Sequence, residues 1–272
     1  MKKFNFRVWA CFASLFVCLP TWSAVPVPSV YLEELTTTEV AAAIREGKTT
    51  IIIPVGGTEQ NGPHMVLGKH NIRAKALAGK VAQQLGNALV APVVAYVPEG
   101  NISPPTEHMR FAGTISVPES AFKTILDAAG RGFKQHGFQN IVLVGDSGNY
   151  QGALKAVAAG LNRDWAQTPA RAYFVAEYYR ATQTTYIQGL KAKGLTDAQI
   201  GLHAGSADTS LLMALDPSMI RHDQLAVAAH EGTATGTRGD PRASTAALGQ
   251  IGVDAVVSQA VAAIRSAVAT PR

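Results

Sequence analysis

Glu59, Gln60, Asn61, His64 and His70 fall within twelve residues, framed by Gly56-Gly57, Gly62-Pro63 and Gly68. One carboxylate and two imidazoles this close together can ligate a divalent cation or carry protons. The plainer alternative is a surface loop of incidental polar residues, with His64 packed on the loop backbone rather than on a substrate. Two further clusters are Gly145-Asp146-Ser147-Gly148-Asn149 and His203-Ala204-Gly205-Ser206-Ala207-Asp208. The first allows a serine-hydrolase reading, Ser147 as nucleophile and His203 as its base. Tyr178-Tyr179 read as pocket walls, and Glu107 and His108, in a long polar loop, as pocket walls or as ordinary surface-loop residues.

Positioning elements can be read around these clusters. Ile51–Val55 opens with three isoleucines and stops at Gly56-Gly57, the pattern of a buried strand. Asn140–Val144 repeats it ahead of Asp146. Residues 88–97 also read as strand, with Pro92 demanding an edge position or a bulge, and 172–176 as a fourth. Apolar spacing predicts helices over 72–85, 122–136, 150–165, 209–215 and along 253–268. Thr36 followed by Glu39 predicts a capping box at the start of another, ending near Glu46. Glu177-Tyr178-Tyr179-Arg180 reads as a polar, aromatic segment after the fourth strand. Strands alternating with helices imply an α/β fold with a largely parallel sheet covered on both faces. No repeat or domain boundary interrupts residues 25–272, so these are expected to form a single domain.

The chain has 272 residues, 47% of them hydrophobic, enough for a full core. Residues 1–24 have the layout of a signal peptide: Lys2, Lys3 and Arg7, an apolar run from Val8 to Leu19, and small residues at Ser23 and Ala24. Both cysteines, Cys11 and Cys18, lie there. Cleavage would leave a cysteine-free chain and lower the formal net charge from +5 to +2, because three Lys/Arg and no acid are removed. Nothing then suggests nucleic-acid binding. The expectation is a periplasmic or secreted protein with no membrane association after signal removal.

With these pieces in place, the chain resembles the creatininase (creatinine amidohydrolase) family of metal-dependent hydrolases. The resemblance rests on five blocks in order: PVGGTEQNGPHMVLG, TEHMRFAGTISV, VLVGDSGNYQGA, HAGSADTSLLMALDP and GTRGDPRASTAALG. It implies a three-layer α/β/α sandwich, often assembled as a hexamer, acting on a small-molecule substrate. In the family's pattern the first block reads E-Q-H-G-P-H with an Asp further on, the strand-end block N-G-H-G-G-N, and the late block H-A-G then E-T-S. Those Glu, His and Asp residues hold two divalent metals.

Glu59 and His203 match that pattern. Asn61 stands in place of the first His, His70 of the bridging Asp, Asp146 of the strand-end His, and Asp208 of the late Glu. A bridging carboxylate has two oxygens, whereas a neutral imidazole offers one lone pair, so His70 argues against a two-metal site. Glu59, His70 and Asp146 remain able to hold one Zn, Mn or Fe ion. The resemblance then implies that the ion activates water to cut a C–N bond in a small linear or cyclic amide. With that ion in place, the residues' own chemistry makes His203 the candidate for proton transfer, Asp208 for completing the metal shell or orienting His203, and Asn61 for donating to an oxyanion. The competing reading is a non-catalytic small-molecule-binding protein on the same scaffold.

Overall fold

The computed structural model describes Met1 and residues 29–270. Residues 2–24 of the expected signal peptide, with Cys11 and Cys18, lie outside the described residues. Four strands follow in chain order: β1 (Thr50–Val55), β2 (Ala88–Val90), β3 (Asn140–Gly145) and β4 (Arg171–Phe174). Ten α-helices accompany them among the described residues: α1 (Thr37–Arg45), α2 (Lys69–Leu85), α3 (Glu119–Gln135), α4 (Gln151–Asp164), α5 (Ala176–Gln183), α6 (Thr185–Ala192), α7 (Asp197–Ile200), α8 (Ser206–Leu215), α9 (Leu225–Glu231) and α10 (Ala246–Ala269).

The strands pair in parallel in the order β2-β1-β3-β4. Every residue of β1 and β3 is buried, as unbroken apolar runs covered on both faces require. Side chains alternate between the faces. Ile52, Val142 and Val144 pack with α2, α5, α6, α8 and α10. Ile51, Ile53, Val55, Ile141 and Leu143 pack with α3 and α4. The result is the expected α/β/α layering. Val55 pairs with Gly145, so the loops leaving β1 and β3 emerge side by side at the carboxyl edge of the sheet.

The Thr36–Glu39 capping box forms at the start of α1. The strand expected over 88–97 stops at Val90, just before Pro92, which has no N–H to give to the ladder; one isolated bridge resumes at Val94. The helices carrying His70 and Asp208 start earlier than their apolar spacing suggests, at Lys69 and at Ser206. Their N-caps are Gly68 and Gly205, which offer no capping side chain for sequence to reveal. Residues 177–180 are helical, in α5. By length and hydropathy α10 could span a membrane, but half of its apolar window is buried in this fold, against α8, α5 and α2.

Candidate active site

The loop after β1 is pinned from within. Asn61 Nδ2 donates to the carbonyls of Glu59 at 2.9 Å and Val66 at 3.1 Å, and Glu59 N donates to Leu67 O at 3.1 Å. Asn61 is fully buried, with its amide spent on the backbone. The expected oxyanion donor is therefore a loop brace, which corrects its sequence assignment. His64 is likewise buried, bonded through Nε2 to Thr209 Oγ1 at 2.9 Å.

Glu59, His70 and Asp146 do meet, but in a line rather than around a common point. His70 Nε2 lies 2.9 Å from Glu59 Oε1 and its Nδ1 2.6 Å from Asp146 Oδ2. The imidazole stands between the two acids with both nitrogens engaged. No ion can share all three without displacing the ring, so the set expected from sequence to bind metal is an ion-paired relay in this structure.

Two residues not singled out from sequence complete that relay. Lys69 Nζ lies 3.3 Å from Glu59 Oε1 and 3.4 Å from Asp208 Oδ2. Arg73 reaches Asp208 Oδ1 at 2.7 Å and Asp146 Oδ2 at 3.1 Å. Lys69 and Arg73 are almost wholly buried, at 1% and 2% exposure. Asp208 also accepts from Ala204 N at 3.0 Å, fixing the backbone beside His203. Of the two roles expected for Asp208, orienting His203 is the one this contact serves.

Charge in the cluster is mutually sustained. Burial works against the Glu59 carboxylate, but His70 and Lys69 outweigh it and hold its pKa well below the usual range. Asp208 behaves alike under Lys69 and Arg73. For His70, burial and Lys69 oppose protonation, yet Glu59 and Asp146 raise its pKa above the ordinary value. Glu99, bonded to Asn149 Nδ2 at 2.8 Å, is pushed up to about 8 by burial and then by the charge of Glu59. His203 is pulled down to about 4, chiefly by burial and then by Lys69. His108 is lowered by burial, against Glu59 and with Lys69, His70 and Arg238.

One group of ligating atoms does converge. An oxygen of Glu59 and ring nitrogens of His108 and His203 lie within 4.8 Å of one another. His108 Nε2 is 3.3 Å from Glu59 Oε2, and His203 Nδ1 is 3.7 Å from Glu59 Oε1. The two rings are 4.7 Å apart. Gln60 sets both: its Nε2 sits 3.0 Å from His108 Nδ1, while its carbonyl lies 2.9 Å from His203 Nε2. The Nε2–H of His203 thus donates to that carbonyl, turning the Nδ1 lone pair toward Glu59. His203 therefore joins a ligand set. Proton transfer is the role expected for it from sequence, and its nitrogens face Gln60 and Glu59 rather than Ser147. Gly236 permits the closure, since a Cβ there would lie 1.9 Å from Gln60 Oε1 and its φ is +87°.

The only non-glycine residues with positive φ among those described are Glu107 (46°) and Ala204 (57°), the immediate neighbours of His108 and His203. Such strain costs of order 1 kcal/mol and persists where the surroundings enforce it. Ala204→Gly is expected to raise stability to unfolding by about 0.5–1 kcal/mol, less the added chain entropy. Urea denaturation measures this; a destabilised variant would show that the left-handed backbone carries no strain.

The cavity over this cluster has a volume of about 210 Å³ and is lined mainly by polar groups, among them Glu59, His108, Asn149, Tyr179, His203 and Asp208. It suits a small polar molecule.

The titrations predict a stability maximum for the metal-free protein. Unfolded histidines take protons near pH 6.5, whereas folded His64 and His203 refuse them until about 4, so stability falls as pH drops below 6.5. Glu99 acts oppositely. Folded, it keeps its proton to about 8, so stability is lost as pH rises from about 4.5 to 8. Below pH 6.5 these two histidines, joined by His108, whose pKa burial also lowers, outweigh Glu99; above it Glu99 is joined by His70. The melting temperature should peak near pH 6.5, with about 2 kcal/mol lost by pH 8. A curve still rising to pH 8 would refute this balance.

A family model described as creatinine amidohydrolase matches residues 33–264. The chain belongs to the creatininase family. It is 30% identical over 224 residues to the mycofactocin precursor peptide peptidase of Mycobacterium tuberculosis, covering 74% of this chain and 78% of that protein. The like-named protein of Mycolicibacterium smegmatis is 31% identical over 183 residues, covering 64% of this chain and 61% of its own length. The creatinine amidohydrolase of Pseudomonas putida is 27% identical, covering 72% and 76%. Among solved structures, a mutant creatininase complexed with creatine superposes with a TM-score of 0.74 at 22% identity, over 89% of this chain and all of that one. A manganese creatininase gives 0.71 at 24% identity, with the same coverage of this chain. The family is one of metal-dependent amidohydrolases, and the relatives named here are hydrolases of C–N bonds.

Proposed function

We propose that this protein is a metal-dependent hydrolase that cleaves a C–N bond in a small amide, using one divalent ion held by Glu59, His108 and His203. The observation that carries the reading is the convergence of those three side chains at the wall of a small polar cavity. The donor set fits an ion: one carboxylate and two imidazoles suit Zn, Mn or Fe, and the tautomer of His203 leaves a lone pair toward the cluster. A bound ion would supply Lewis acidity to a substrate carbonyl and lower the pKa of water at the site.

The chain's own residues prepare that chemistry. Lys69 and His70 keep Glu59 ionised. Gln60 locks the orientation of both histidines, and Asp208 holds the backbone at Ala204. Ser147 and Asn149 line the cavity and are placed to hydrogen-bond a substrate. Elemental analysis of purified protein, paired with a panel of small linear and cyclic amides, tests the reading. About one ion per chain and metal-dependent amide cleavage are expected. Protein that stays metal-free after refolding with Zn, Mn or Fe would instead favour a non-catalytic binder.

The signal-peptide layout of residues 1–24 supports export to the periplasm or medium. Sequencing the amino terminus of the exported protein should read from Ala24 or Val25; an intact Met1 would refute it. Homo-oligomerisation is supported by an apolar hollow lined by Ala91, Val94, Ile125 and Phe133, with Tyr96 57% exposed beside them. A monomeric mass by light scattering would rule it out.

A further inference from the structure

Beside the candidate active site lies a second recess of about 200 Å³, lined by Gln60, Glu107, His108, Arg110, Phe111 and Arg238, with Thr233 and Gly236. His108 and Arg238 line both cavities, so the two share a wall. Arg238 is rooted in the site: its N–H donates to His203 O at 2.8 Å and its carbonyl accepts from Leu202 N at 2.7 Å. A short antiparallel bridge thus ties the Arg238 backbone to that of a candidate metal ligand.

Lys69 and Arg73, the deep cations of the site, are matched by Glu59, Asp146 and Asp208. Arg238 and Arg110 are not. Among the described residues neither forms an ion pair, and Glu107, the one acid in the recess, pairs with neither. Two unmatched guanidiniums against one carboxylate leave the recess net positive. A planar fork of N–H donors is the group that best recognises a carboxylate.

We propose that this recess is a carboxylate subsite, so that the substrate is an amide bearing a free carboxylate, held by Arg238 and Arg110 while its C–N bond lies over Glu59, His108 and His203. The chemical class is an acylated amino acid or the carboxyl end of a short peptide. This inference rests on the hydrolase reading for the position of the reacting bond, but not for the binding of the anion.

The test measures binding and cleavage separately on N-acetylated dipeptides, each with a free carboxylate or as its C-terminal amide. By titration calorimetry the free acids should bind about tenfold or more tightly than the amides. Arg238→Gln should erase the difference, Arg238→Lys should keep part of it, and added salt should weaken it. Arg238 is exposed, and unchanged melting would confirm that the variants fold. Equal affinities, no binding of either series, or discrimination that survives Arg238→Gln would overturn the subsite. Discrimination without cleavage would leave the subsite standing and remove the hydrolase reading; cleavage without discrimination would do the reverse.

Discussion

Glu59→Gln should lower amide cleavage by about a thousandfold or more and reduce bound metal well below one ion per chain. The substitution preserves shape but removes the one carboxylate that faces both His108 and His203. Lewis-acid stabilisation is worth several kcal/mol, and each ~1.4 kcal/mol is a factor of ten in rate, which sets the scale. The control is Ser147→Ala, because a serine mechanism would lose its nucleophile there while keeping its metal content. Full activity in Glu59→Gln would end the metal reading. Loss of activity in Ser147→Ala far beyond the roughly tenfold of one lost substrate hydrogen bond, with metal retained, would revive Ser147 as nucleophile.

Arg73→Met is expected to be the most destabilising single change in the buried charge cluster, at about 3–5 kcal/mol, because it leaves buried acids without their cation. Arg73 is 2% exposed and lies between Asp146 and Asp208, with Asp208 at 2.7 Å. For a chain of this size the loss corresponds to a fall in melting temperature of about 10 °C. Adding Asp208→Asn to Arg73→Met should recover part of the loss, since the removed charge no longer needs a partner. Additive losses in the double variant would show that the two side chains are not energetically coupled.

Much of this arrangement is legible in the sequence. The isoleucine run of β1 and the apolar run of β3 declare two central strands, and the glycines ending them declare loops at one edge. The cluster from Glu59 to His70 marks the site because those residue types rarely crowd a turn by chance. What stays hidden has particular causes. Nothing in sequence separates Lys69 and Arg73 from ordinary solvated cations, and Gly68 conceals that the helix begins early enough to turn both inward. His108 is far from His203 in the chain, and only the fold brings their rings to 4.7 Å. A set of ligating residue types cannot tell a line from a convergence, so His70 looks like a ligand although both its nitrogens are taken by acids.

The two left-handed joints at Glu107 and Ala204 bear on how such a protein can change. Each is an easy gain for any lineage selected for heat resistance, since one glycine relieves it. Each gain would also loosen an imidazole next door. Selection for robustness and selection for turnover therefore pull on the same two codons in opposite directions. A descendant that outlasts boiling while keeping both residues would have had to find its toughness elsewhere in the molecule.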